Sequence, residues 1–161
     1  MAMDAYIKLP GIEGESPTAG YEKQIQLMSF SWGCTQPASQ HYGTGGGVGK
    51  ADWQDFSFMK MIDKSSPKLQ EALAKGTHIK DAKLTVREVG GEEAVEYYTV
   101  VFKDVIITSY QTSGSSGSEK MTDACSFAFS ECKVEYQPQD SGGKKEGKVE
   151  FGWSQKTGKS A

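Results

Sequence analysis

Ala82-Lys83-Leu84-Thr85-Val86-Arg87, then Gly90-Gly91, then the run from Val95 to Tyr110, decides the fold of this chain. Ala82, Leu84 and Val86 alternate with Lys83, Thr85 and Arg87, the period-two pattern of a strand with one buried and one wet face. Gly90-Gly91 reads as a hairpin turn. The run behind it is long and rich in β-branched and aromatic residues, so it predicts a second strand antiparallel to the first. Asp104 in its middle predicts a bend or a bulge.

The same pattern extends in both directions. Tyr6 to Leu9 predicts a short opening strand closed by Pro10-Gly11. Ile25 to Trp32 predicts another, with Met28, Phe30 and Trp32 on a buried face and Ser29 and Ser31 on a wet one. Toward the C-terminus, Ser113-Gly114-Ser115-Ser116-Gly117-Ser118 reads as a turn. In Met121 to Gln137 the apolar phase changes, from Cys125, Phe127 and Phe129 to Cys132, Val134 and Tyr136. A one-residue β-bulge near Ser130-Glu131 would restore a single buried face; otherwise the two halves are buried on opposite faces. Lys148 to Trp153 predicts a last strand with Val149, Phe151 and Trp153 inward, trailed by a flexible tail over residues 155–161.

One helix is expected, over about residues 66–75, with Ser66 as N-cap and Pro67 in the first helical position. Leu69, Ala72 and Leu73 share one face, and Gly76 ends the helix. A helix this short covers a sheet or barrel and organises no core alone. The sum is one mainly β domain over residues 1–161, an antiparallel barrel or sandwich with one flanking helix.

Bulk properties narrow the function. The chain has 161 residues, 37% of them hydrophobic, enough for a core without staples. Net charge is −3, and Arg87 is the one arginine among 18 basic residues. Bidentate recognition of phosphates and bases favours arginine, so no nucleic-acid partner is expected. The longest apolar run, around Val100-Val101-Phe102, is too short to enter a membrane, and the first residues lack the pattern of a signal peptide. Cys34, Cys125 and Cys132 form an odd set without metal-ligand spacing and are expected as reduced thiols.

The stretch that most resembles a chemical motif fails on inspection. Gly43-Thr44-Gly45-Gly46-Gly47-Val48-Gly49-Lys50 puts Thr44 where a phosphate-binding loop needs its first glycine, and Ala51 where it needs a metal-binding hydroxyl. A dinucleotide fingerprint would need glycine in place of Val48. The next segment, Trp53-Gln54-Asp55-Phe56-Ser57-Phe58, reads as a strand and not as a helix facing an anion. The whole connection from Gly33 to Lys50 is long for a compact domain. His41 and His78 have no second ligand at zinc spacing, and no G-x-S-x-G elbow exists. No catalytic residue, cofactor or metal is expected, and the chain does not read as an enzyme.

One segment carries a resemblance. Phe58-Met59-Lys60-Met61-Ile62-Asp63-Lys64-Ser65-Ser66-Pro67-Lys68-Leu69 is similar to the signature of the Hcp family, the haemolysin-coregulated proteins of type VI secretion systems. Tyr6-Ile7-Lys8, Gly14-Glu15-Ser16, Ser29-Phe30-Ser31-Trp32-Gly33, Val95-Glu96-Tyr97, Asp104-Val105-Ile106-Ile107, Tyr136-Gln137-Pro138-Gln139 and Gly152-Trp153 continue the likeness in order. The resemblance implies a phage tail-tube-like barrel whose subunits form hexameric rings that stack into the inner tube of a contractile apparatus. It implies assembly in the cytosol inside sheath proteins, a VgrG spike at the tip, export without a signal peptide, and small effector proteins carried in the lumen. On this view Ser29 and Ser31 are candidate lumen contacts, and the loop from Gly43 through Thr44, Gly45, Gly46, Gly47, Val48 and Gly49 to Lys50 is the candidate ring-stacking contact. The alternatives are a tail-tube protein of a phage-like particle and a monomeric β-sandwich ligand-binding module.

Overall fold

The computed structural model describes residues 2–39, 47–89, 94–138 and 147–161. In chain order they form β1 (Ala2–Lys8), β2 (Ile25–Leu27), β3 (Ser29–Ser31), β4 (Cys34–Thr35), β5 (Ala38–Ser39), β6 (Gly47–Val48), β7 (Asp52–Trp53), β8 (Phe56–Met61), α1 (Ser65–Lys75), β9 (His78–Val89), β10 (Val95–Ser113), β11 (Thr122–Ala128), β12 (Glu131–Tyr136) and β13 (Val149–Ser154). The β9–β10 pair that the alternation and the glycine pair predict is present; the Gly90-Gly91 turn itself lies outside the described residues.

Hydrogen bonding orders the main sheet β2-β1-β9-β10-β11-β8-β3, with every pairing antiparallel. β2 and β3 are separated only by Met28, so the two ends of this path are one bent strand. Its first half pairs with β1 and its second half with β8, and the sheet thereby closes into a barrel. The bend corrects the expected face of this strand. Ile25 and Leu27 are buried, Met28 is 52% exposed, and only beyond it do Phe30 and Trp32 turn toward the core.

The phase change in the C-terminal strands is a crease rather than a one-residue bulge. β10 keeps one register across β12 and β11, Phe102 opposite Cys132 and Ile106 opposite Ala128, so no residue is inserted near Ser130-Glu131. Instead three neighbouring strands switch their buried side together: Ile79 to Ala82, Val105 to Phe102, and Phe129 to Cys132. Asp104 takes φ +54 at this line, the left-handed conformation that turns β10. Its carboxylate accepts from Ser130 Oγ at 2.9 Å and Lys156 Nζ at 3.0 Å. Register shifts do occur in β10, between Glu96 and Tyr98 and between Ile107 and Ser109.

The core behind the crease is aromatic. Phe102, Phe127 and Phe56 have ring centroids 5.0–5.2 Å apart, and Trp32 meets Phe102 edge-on at 5.1 Å. Trp32, Trp53 and Trp153 are half-buried against this core. α1 adds Leu69 and Ala72, and Gly76 ends it at φ +62, donating to the carbonyls of Ala72 and Leu73. Arg87, the sole arginine, lies over the rings of Tyr6 (5.5 Å) and Tyr21 (5.0 Å) and donates to Asp4 at 3.3 Å, so its guanidinium is taken up inside the fold.

Two expectations at the C-terminus fail. Along β13, Val149 is 62% and Phe151 47% exposed; among the described residues β12 is the one strand that pairs with it. Residues 155–161 do not trail away. The N–H of Gln155 donates to Ser130 O, that of Ser154 to Lys159 O, and that of Ala161 to Gly152 O. A Cβ on Gly152 would lie 2.1 Å from Ala161 O, so only glycine admits this return. Gly152→Ala is expected to cost about 1–3 kcal/mol in chemical denaturation, the usual size of an overpacking penalty. Removing residues 159–161 from that variant should recover much of the loss, and no recovery would refute the tuck as its source.

Candidate functional site

The outward residues of β3, β8, β11 and β10 form rows across four strands. Ser31 stands opposite Ser57, Ser57 opposite Ser126, and Ser126 opposite Ser109. The next row runs Ser29, Met59, Ala124, Gln111, and beyond it lie Met61, Thr122 and Ser113. None of these eleven side chains is ionisable, and most of the first two rows lines an open groove. Hydroxyls satisfy one another along the rows: Ser109 and Ser126 Oγ atoms are 2.5 Å apart, Thr108 and Ser126 2.9 Å, and Ser113 and Thr122 3.1 Å. Thr108 also donates to Asp55 at 2.7 Å, so an exposed carboxylate borders the first row.

Ser29 and Ser31, the candidates from sequence, are therefore brought into one surface, and both are exposed. The sequence reading missed Ser57, Met59, Met61, Ser109, Gln111, Ala124 and Ser126. Part of the signal was present in Phe56-Ser57-Phe58-Met59-Lys60-Met61, whose buried and exposed residues alternate without a break. The strand order needed to place four such strands side by side was not in the pattern.

Behind this face sits a buried charged cluster. Lys60 Nζ lies 2.7 Å from Asp123 and 3.0 Å from Asp63, and donates to Ser66 Oγ at 2.8 Å. Lys60 and Asp123 are fully buried. Ser66 Oγ donates in turn to Asp123, and Tyr110 and Thr112 donate to its other oxygen at 3.1 Å each. This corrects the expected helix cap. Lys64 holds the N-cap position, Asp63 Oδ1 accepts the Ser65 N–H at 2.9 Å, and the Ser66 hydroxyl is spent on the buried pair. Burial pushes the Asp123 carboxyl up, but the hydrogen bonds from Lys60 and Ser66, with the charge of Lys60, outweigh it and hold the group below its ordinary range.

The proposed stacking loop is only partly loop. Cys34 and Thr35 pair with Trp53 and Asp52, and further out Ala38 and Ser39 pair with Val48 and Gly47, so the segment leaves the barrel as an antiparallel arm. Gly49 packs where a Cβ would lie 3.0 Å from Pro37 Cγ, and Lys50 is exposed. Gly43, Thr44, Gly45 and Gly46 lie outside the described residues, as does His41. Cys125 and Cys132 are buried, and burial pushes their thiols up to about 12 and about 11; Cys34 is exposed. Among the described residues no three His, Cys, Asp or Glu side chains are grouped to hold a metal, and no helix is long and apolar enough to cross a membrane.

The described residues thus form an antiparallel barrel in which eleven outward side chains across four strands are non-ionisable. A family model described as "Type VI secretion system effector, Hcp" matches residues 6–136. Over 155 residues the chain is 43% identical to Protein hcp1 of Pseudomonas aeruginosa, covering 96% of each. A solved type six secretion system protein superposes with TM-score 0.93 at 34% identity, covering 99% of this chain and 100% of the other. Hcp1 from Salmonella typhimurium gives TM-score 0.82 at 30% identity with both chains fully covered. The chain belongs to the Hcp family of type VI secretion tube proteins.

Breaking the buried pair from one side is expected to be costly. Lys60→Met leaves Asp123 without its counter-ion and should lose about 3–5 kcal/mol in denaturant melts. The pH dependence comes from the lowered carboxyl of Asp123. Its contribution is complete above the unfolded value near 3.8 and is lost as pH falls below that through the native value. Asp123→Asn should therefore flatten the acid limb of the stability curve below the unfolded carboxyl value near 3.8, and an unchanged limb would contradict the assignment.

Proposed function

We propose that this protein forms hexameric rings that stack into the inner tube of a type VI apparatus, and that the uncharged face of β3, β8, β11 and β10 lines the lumen. The observation that carries the reading is the uninterrupted set of cross-strand rows without an ionisable group. A channel through which many unlike polypeptides pass must bind none of them tightly. A wall of hydroxyls and thioethers gives hydrogen bonds and adaptable apolar contact without fixed charges to trap a passenger.

Two further features support assembly. Among the described residues β13 pairs with one strand, β12, and the returning tail bonds it only at Gly152 and Ser154; Val149 and Phe151 are exposed, and an exposed apolar edge is a liability for a lone subunit and a contact for a neighbouring one. Phe151 stacks on Trp53 at 6.2 Å, which connects this edge to the base of the projecting arm. The arm, including Gly43 to Lys50, is the ring-stacking contact, and a repeated head-to-tail contact of this kind builds a filament. On this reading the rings are made in the cytosol within sheath proteins, are capped by a VgrG spike, carry small effector proteins, and leave the cell through the machine.

Three variants test the assignment. Ser31→Arg should leave rings intact in negative-stain images while effector retained by purified rings falls about tenfold, equivalent to about 1.4 kcal/mol. Unchanged retention with intact rings would remove the face from the lumen. Phe151→Glu should shift the protein from ring to monomer in light scattering, and deletion of Gly45–Gly47 should leave rings that no longer stack.

A further inference from the structure

Four methionines gather at one end of the uncharged face and at its rim, two in the rows and two beside them. Met59 and Met61 point outward from β8, Met28 sits at the bend between β2 and β3, and Met121 immediately precedes β11. All four are between 42% and 52% exposed. Met28 and Met61 line one groove with Ile62, bordered by the charged Glu15, Asp63 and Lys120, and the Ile62 N–H donates to the Met121 carbonyl at 3.0 Å. The Met28 N–H donates to the Met59 carbonyl at 2.8 Å, so the four residues occupy one end of the four-strand face and its rim. Thioethers are normally core residues, and a core role does not explain side chains that meet solvent.

The thiols of the chain are arranged in the opposite way. Cys125 and Cys132 are buried, and the single exposed thiol, Cys34, lies on β4 at the base of the arm. On the uncharged face the oxidisable sulfur is therefore thioether sulfur.

We propose that Met28, Met59, Met61 and Met121 form an oxidant-responsive modification site, in which conversion to sulfoxide switches this face from adaptable and apolar to strongly dipolar. The oxidant is a peroxide. The thioether lone pair attacks one peroxide oxygen, the O–O bond breaks and an S–O bond forms; the second oxygen leaves as hydroxide and takes the proton of the first to become water, so sulfur loses two electrons and the peroxide gains them. The product adds a hydrogen-bond acceptor at each of four positions and stiffens side chains whose use is their pliability. Passengers that press apolar segments on the face lose grip after oxidation. Reductases that act on methionine sulfoxide restore the thioether, so the change is reversible. That consequence for passengers rests on the lumen reading above, whereas the chemistry at sulfur does not.

The test uses the full chain with Cys34→Ser, so that thiol crosslinking does not contribute. Treatment with millimolar hydrogen peroxide and peptide mapping should give sulfoxide at all four positions at the rate of Met3, which is 49% exposed on β1 outside the face. Protection of the four by tenfold or more relative to Met3 would overturn the site. Binding of Nile red, a neutral apolar dye, should fall about fivefold on oxidation and return after treatment with methionine sulfoxide reductases. A variant carrying Met28→Leu, Met59→Leu, Met61→Leu and Met121→Leu should bind the dye and keep binding it in peroxide. Equal loss in that variant, or no loss in the parent, would overturn the switch. If the parent loses dye while Ser31→Arg rings retain effector normally, the lumen reading fails and the modification site stands.

Discussion

The ammonium of Lys60 held between Asp123, Asp63 and Ser66 fixes the relation between the helix and the barrel. Two ions taken out of water cost several kcal/mol each, and their attraction offsets this only when every remaining donor and acceptor is filled. Here they are filled by groups from separate parts of the chain: Ser66 at the start of α1, and Tyr110 and Thr112 from β10. Moving any of these elements would uncover a charge. The cluster therefore defines one position for α1 and one pairing of β8 with β11; the buried faces already forbid a one-residue slip, and the cluster forbids the two-residue slip that would keep every side chain on its face.

That constraint has a visible effect on the other side of the same strands. Lys60 and Asp123 point inward, so their neighbours Met59, Met61, Thr122 and Ala124 point outward. The charges needed to lock the strands are spent within the fold, and the rows above them carry no ionisable side chain. The opposite arrangement holds on β12 and β13, where Lys133 lies 3.8 Å from both Glu135 and Glu150, and Lys148 lies 3.7 Å from Glu135. One barrel thus presents a neutral surface and a surface of alternating charges, each set by strand parity.

Alternation was legible in the sequence wherever a strand keeps one environment along its length. Ala82, Leu84 and Val86 are buried as the pattern requires, and Gly76 ends the helix as expected. The reading failed where a strand changes partner. Met28 looked like a core residue because the strand looked straight, and the bend comes from pairing β1 first and β8 next. Val149 and Phe151 looked buried because alternation reports which residues share a face, not whether anything covers it. Ser66 had the right chemistry for a cap, but a hydroxyl near a buried carboxylate has a stronger use. Ser29 and Ser31 were identifiable as a wet pair, while the rows they belong to depend on long-range register that no local period encodes.

The bent strand from Ile25 to Ser31 also has a mechanical meaning. It joins the barrel through three paired residues on each side, whereas β1 and β9 share seven. Circumferential tension therefore concentrates on the shortest seam, while compression along the barrel is shared among the longer strands. A wall built this way is stiff in thrust and weakest in hoop stress.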